Sequence, residues 1–203
     1  MTKTKYLGLT LSALAAIAGV NTARASEDNH FAGGYVVLSQ EWKNASATVD
    51  GEKIKKSEAA PSIGLGYTFA MDKHSTLGIK ATFDTKSGEY GVGDVTGLGE
   101  TEAKEKSHYS IAIEPGYAIN DKWLVFGILA YHRAKAELVA ANASQSSANL
   151  NGFGYGLGAK YALPNHWFLM GEIQKVDYHV KSFGASEVKP ASTVVALGLG
   201  YHF

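Results

Sequence analysis

From Pro61 the chain alternates. Pro61, Ile63, Leu65, Tyr67 and Phe69 hold one parity, and Ser62, Gly64, Gly66 and Thr68 the other. A period of two marks a strand whose two faces meet different surroundings. Leu77, Ile79, Ala81 and Phe83 repeat it against Gly78, Lys80, Thr82 and Asp84. So do Tyr109, Ile111, Ile113, Pro115 and Tyr117, and later Phe153, Tyr155, Leu157, Ala159 and Tyr161, the latter facing Gly154, Gly156, Gly158 and Lys160. The last ten residues, VVALGLGYHF, set Val195, Leu197, Leu199, Tyr201 and Phe203 against Ala196, Gly198, Gly200 and His202. The pattern predicts eight strands, at 31–42, 61–69, 77–83, 109–117, 123–134, 153–161, 167–177 and 191–203. Runs 31–42 and 123–134 are apolar at both parities and do not reveal which side faces in.

The connections are ordered too. Those near 70–75, 119–122 and 162–166 are short; those near 43–58, 87–107, 135–151 and 179–189 are long and polar. Strict alternation of long and short puts every short turn at one end of an up-and-down sheet and every long loop at the other. That is the organisation of an outer-membrane barrel. The two faces agree. A soluble sheet would carry Lys, Glu, Thr and Ser outward, whereas here the less bulky face is mostly Gly, Ala and Ser with isolated charges. Eight strands enclose a space that side chains just fill, so the bulky face must point outward, and only lipid tolerates that. Tyr67, Phe69, Tyr117, Trp123, Tyr161, Trp167, Tyr201 and Phe203 lie beside the short turns or the C-terminus and form one interfacial girdle. Trp42, Tyr109, Tyr131, Phe153 and Tyr178 supply the second. The predicted fold is an all-β, eight-stranded antiparallel transmembrane barrel.

The N-terminus stands outside this pattern. Lys3 and Lys5 precede an apolar run from Tyr6 to Val20, and Ala23-Arg24-Ala25 places small residues at the −3 and −1 positions of a cleavage site. Residues 1–25 are expected to be a signal peptide cut after Ala25, leaving 26–203 as the barrel domain. Charge excludes one class of partner: 19 basic and 19 acidic side chains give no basic footprint for nucleic acid. The absence of cysteine excludes disulfides and thiolate chemistry.

The ending Leu199-Gly200-Tyr201-His202-Phe203 resembles the terminal signal of bacterial outer-membrane proteins, in which Leu199, Tyr201 and Phe203 are the positions read by the barrel-assembly machinery. The stretch Ser110 to Tyr117, and Gly154 to Tyr161 followed by Gly171-Glu172, resemble the porin-like outer-membrane β-barrel family. That family includes opacity-type adhesins and small eight-stranded relatives. The resemblance spans essentially all of the mature chain. It implies a Gram-negative outer membrane, lipids and lipopolysaccharide as surroundings, and a structural or interaction role.

Charges at inward parity are the candidate interior chemistry: Lys80, Asp84, Glu114, Lys160, Glu172 and Gln174. Counted from the short turns, Lys80, Glu114 and Glu172 fall near mid-membrane, with Lys160 slightly nearer its turn. Charges at that depth must point inward and pair, so Lys80 and Lys160 are expected opposite Glu114 and Glu172. The network reads first as a filling of the lumen and second as a gate for a narrow ion path. His108 and His132, with Ser107 and Ser110, lie near the extracellular edge, where some eight-stranded enzymes act on lipid A; no nucleophile motif accompanies them. His74, His166 and His202 gather near the short turns without metal-ligand spacing. No catalytic residue, metal or cofactor is expected. The loops carry contrasting chemistry: Lys43, Lys53, Lys55 and Lys56 in the first, Glu89, Asp94, Glu100, Glu102 and Glu105 in the second, and small polar residues from Ala140 to Ser147 in the third. They are where a host ligand would be met. The leading expectation is an adhesive or host-factor-binding surface protein, the second a narrow channel, the third a lipid A-modifying enzyme.

Overall fold

The computed structural model describes residues 29–49, 52–85, 88–95, 99–140, 146–179, 181–183 and 186–203. The signal segment, with Ala23 and Ala25, lies outside the described residues. Eight long strands make the barrel wall: β1 (Gly33–Val49), β2 (Glu52–Ala70), β3 (Ser75–Asp84), β5 (Gly99–Asn120), β6 (Trp123–Ala140), β7 (Ser146–Ala162), β8 (Trp167–Tyr178) and β10 (Ser186–His202). Two short strands stand on its rim: β4 (Gly88–Val95) pairs with the extension of β5, and β9 (Lys181–Phe183) with that of β10. Each wall strand pairs antiparallel with its neighbour, and β1 closes on β10 from Tyr35↔His202 to Val49↔Val188. Closure removes the sheet edges that lipid would leave without hydrogen bonds.

The register fixes the barrel's shape. Pairs run from Tyr35 through Gly66, Lys80, Ala112, Ala130, Gly154, Val176 and Ser192, and return to β1 at Ala45, ten residues above the start. A stagger of ten over eight strands corresponds to a tilt of about 41° at ordinary strand spacings.

Closure also settles the two strands that read as apolar on both faces. Tyr35, Val37, Ser39 and Glu41 of β1 point inward, as do Leu124, Phe126, Ile128, Ala130 and His132 of β6. Leu38, Trp42, Leu129 and Tyr131 point to lipid. The interior is therefore not lined by small residues alone. Its turn-side half is packed with the rings of Phe31, Tyr35, Phe126 and Phe168, all at most 4% exposed. The inward glycines make room for them. A β-carbon at Gly66 would sit 2.4 Å from the Tyr35 ring, one at Gly158 2.4 Å from Phe126, and one at Gly200 2.1 Å from Phe168.

Two further readings are corrected. The long polar segments are mostly strand: the wall continues past the membrane, and β5 reaches 22 residues where about 9–11 suffice to cross. Tyr178 is not part of the outer girdle; it shares the inward parity of Val176 and lies against Gly152.

The turn end is tied down by short side chains. Asn120 accepts from the N–H groups of Lys122 and Trp123, at 2.9 Å each. Asp72 accepts from Ser75 and His74 at 2.7 and 2.8 Å, and these donors hold its carboxyl below the ordinary range. Asn165 and His166 both adopt positive φ, at 59° and 66°, in the hairpin that leads to β8. Asn29 donates to the Lys73 carbonyl at 3.2 Å and seats Phe31 as a stopper beneath the lumen.

Two outcomes follow. The unboiled protein migrates faster than the boiled protein in SDS gels, because the closed barrel resists the detergent; identical mobility would deny closure. Gly200→Ala destabilises by about 1–3 kcal/mol through overpacking, and adding Phe168→Leu recovers most of it in urea unfolding from vesicles.

Candidate functional site

The chemistry inside the barrel falls into two layers. The lower one lies at mid-membrane. Lys80 on β3 contacts Glu172 on β8 directly and lies 2.9 Å from Glu114 on β5. Gln174 donates to Glu172 at 3.4 Å, and the Tyr35 hydroxyl donates to Glu114 at 3.1 Å. Lys160 on β7 is held differently. Its ammonium lies 3.8 Å above the centre of the Tyr35 ring, 5.4 Å from that of Phe126 and 5.6 Å from that of Phe168, with a Glu114 oxygen at 3.7 Å. This is an aromatic cage around a cation, with one carboxylate closing it. Desolvated cation–π contacts contribute about 2 kcal/mol or more each. Two ammonium groups and two carboxylates make the layer electrically balanced, as low-dielectric surroundings require.

The upper layer lies near the extracellular mouth. Lys43 on β1 contacts Asp84 on β3 directly and has Glu41 at 3.7 Å. The same Asp84 oxygen, Oδ2, meets His108 Nδ1 on β5 at 3.2 Å. His108 Nε2 then lies 3.1 Å from His132 Nδ1 on β6, with the rings stacked 15° from parallel. One nitrogen of that contact donates and the other accepts, so the histidines share one proton between them. Between the layers is a gap of only about 10 Å³, roughly the room of one water, lined by Ser39, Glu41, Ser110, His132, Glu172 and Gln174 among others.

The structure thus places Lys80, Glu114, Lys160, Glu172 and Gln174 together and sets Asp84 apart, in the upper layer. Lys43 leaves the loop where it was placed and becomes an interior residue. Tyr35 and Phe126 carried no sequence signal as partners of Lys160. For Phe168 one signal existed: it shares parity with Glu172. His108 and His132 hydrogen-bond to Asp84, Lys43 and each other rather than to Ser110, and Ser107 faces outward. His74 stacks on Tyr117 and His202 packs on Phe168. Among the described residues, no three His, Cys, Asp or Glu side chains are grouped to hold a metal ion.

The outside matches an outer-membrane wall. Trp123 packs on Tyr161, and Trp167 on Tyr201, whose ring also meets Phe203. Tyr131 with Phe153, and Phe83 with Tyr109, mark the upper boundary. Leu199 is half exposed toward lipid and Phe203 is 79% exposed at the turn end.

Residues 12–203 match the outer membrane protein beta-barrel domain family. The chain belongs to that family. It is an eight-stranded protein of the outer membrane. No curated protein matches it by sequence. Among solved structures, Neisserial surface protein A is similar at 15% identity with a TM-score of 0.56, over 84% of this chain and 99% of that one. The attachment invasion locus protein Ail of Yersinia pestis, in complex with the heparin analogue sucrose octasulfate, is similar at 17% identity with a TM-score of 0.52, over the same shares. Both share the barrel fold.

The buried layer makes a definite forecast. Lys80→Met leaves Glu114 and Glu172 with a single cation and costs about 3–5 kcal/mol of stability. Adding Glu172→Gln restores the balance with Lys160 and recovers part of that loss. Urea unfolding in phospholipid vesicles reads both; a Lys80→Met cost under about 1 kcal/mol would show that the layer is not a stabilising unit.

Proposed function

We propose that this barrel is a surface-interaction protein whose extracellular hairpins bind a host or neighbouring ligand, with the wall acting as their anchor. The observation that carries this reading is the filled lumen. The Lys160 cage, the Lys80 ion pairs and the Phe31 stopper occupy successive levels of the interior, which leaves the rim as the part offered to partners. Strands β1, β2, β5, β6, β7 and β10 run on beyond the membrane and raise that rim well above the lipid. The interior network of Lys80, Glu114, Lys160, Glu172 and Gln174 is then structural filling rather than a gate. The signal peptide is removed after Ala25, and Leu199, Tyr201 and Phe203 address the chain to the barrel-assembly machinery. The complex of Ail with a heparin analogue supports sulfated polysaccharide as the first ligand class to try.

The experiment pairs adhesion with conductance. A non-adherent Gram-negative strain displaying this protein binds cultured epithelial cells or heparin-coated beads. Replacing residues 88–104 by Gly-Asn-Gly, which removes β4 and its partner segment, lowers that binding while the gel shift on heating persists. In planar bilayers the purified protein is silent. Unchanged adhesion after every hairpin is shortened would reject the reading, and stable single-channel steps would favour the narrow channel instead.

A further inference from the structure

The two interior layers face each other through two atoms whose bonding capacity is unused. His132 on β6 turns Nδ1 to His108, and Gln174 on β8 turns its amide nitrogen to Glu172. The remaining polar atom of each, His132 Nε2 and Gln174 Oε1, is buried and makes no hydrogen bond among the described residues. Folded interiors leave few such atoms. Both border one space. Strand β7 runs between β6 and β8 and passes them at Gly154, which pairs with Ala130 and Val176. A β-carbon there would lie 2.6 Å from Nε2 and 3.4 Å from Oε1. Glycine keeps that niche open to both atoms. His132 and Gln174 also line the gap between the layers, whose 10 Å³ is about the room of one water molecule. Ser39 and Ser110 add hydroxyls to the same wall.

The placement of protons selects the occupant. Gln174 Oε1 only accepts. His132 Nε2 donates or accepts according to the chain behind it. If His108 Nδ1 donates to Asp84, His108 Nε2 accepts from His132, and His132 Nε2 presents a lone pair. If Lys43 donates to His108 Nδ1, the order reverses and His132 Nε2 carries the proton. A water molecule serves both cases. It donates to both atoms in the first, and in the second it accepts from the ring while donating to the amide. A metal ion serves only the first, and an apolar group neither. We propose that the niche over Gly154 is a binding site for one water molecule, held between His132 Nε2 and Gln174 Oε1. The water joins the layers into one chain. It runs from Lys43 and Asp84 at the mouth, through His108, His132 and Gln174, to Glu172, Lys80 and Glu114 at mid-membrane. The site is interior and stands whether or not the hairpins bind a ligand.

The test is a crystal structure of the mature protein at a resolution that shows ordered water, joined to urea unfolding from phospholipid vesicles. The crystal shows a peak about 2.7–3.2 Å from both atoms, and Gln174→Met loses it. In unfolding, His132→Phe and Gln174→Met each lower the folding equilibrium constant about tenfold or more. Together they lower it about tenfold less than the product of the two, because a single bridge is lost in all three variants. Direct contact of Nε2 with Oε1, with no peak, would overturn the proposal. So would a peak about 2.1 Å from Nε2, which is a metal distance, and so would additive unfolding costs, which would leave the layers unjoined. Should a variant fail to fold, the wild-type crystal alone decides.

Discussion

Closing eight strands with a stagger of ten residues leaves a lumen barely two side chains across, and almost everything else about this protein follows from that width. A wall of this size has no room for a separate core, so the interior side chains must fill it themselves. Where a ring enters, the strand it faces has to withdraw. Gly66, Gly158 and Gly200 are that withdrawal, each under a ring from another strand. The same narrowness forces any interior charge into contact with whatever lies across from it. Lys80 therefore meets Glu114 and Glu172, from two other strands, and Lys160 lies among three rings with a Glu114 oxygen at 3.7 Å.

The membrane decides where those charges sit. A cation at mid-depth on the outer face would cost about 2–4 kcal/mol in hydrocarbon; inside, the cost is met by partners. The lower layer is balanced within itself, two cations against two anions. The upper layer sets Lys43 against Glu41 and Asp84, and His108 and His132 extend it as a hydrogen-bonded pair. The two layers differ in what they tolerate. Rings and ion pairs fix the lower layer sterically. The upper layer is a chain of hydrogen bonds that borders a gap of about 10 Å³.

How much of this was readable from sequence depends on contrast between parities. Lys80, Glu114 and Glu172 stand on strands whose other face is plainly apolar, so their inward direction and depth were legible. The strands carrying Tyr35 and Phe126 have apolar residues on both sides, and alternation alone says nothing of them; only closure against β2, β10 and β7 assigns their faces. The glycines of β7 and β10 were legible as an inward face but read as lining, because nothing local shows that a ring from a different strand fills the space. Lys43 was missed because polar residues on both parities beyond Trp42 resemble a loop, although the strand continues. The contact of His108 with His132 needs the β5–β6 register, in which Ser110 pairs with His132. That register is a property of the closed sheet rather than of either segment.

The strand continuation bears on how a rim of this kind binds. A long irregular loop must be ordered when a partner arrives, and each immobilised side chain subtracts from affinity by about 0.5–1.5 kcal/mol. Here the pairs β1–β2 and β6–β7 keep unbroken register from the membrane to Val49↔Glu52 and Leu138↔Ser146. The backbone below each hairpin tip is already fixed by its ladder before a partner arrives. A wall that overshoots the bilayer thus gives its tips a rigid base. It also carries the conformational cost of recognition during folding, when ladder hydrogen bonds offset it, rather than during binding, when only the ligand could.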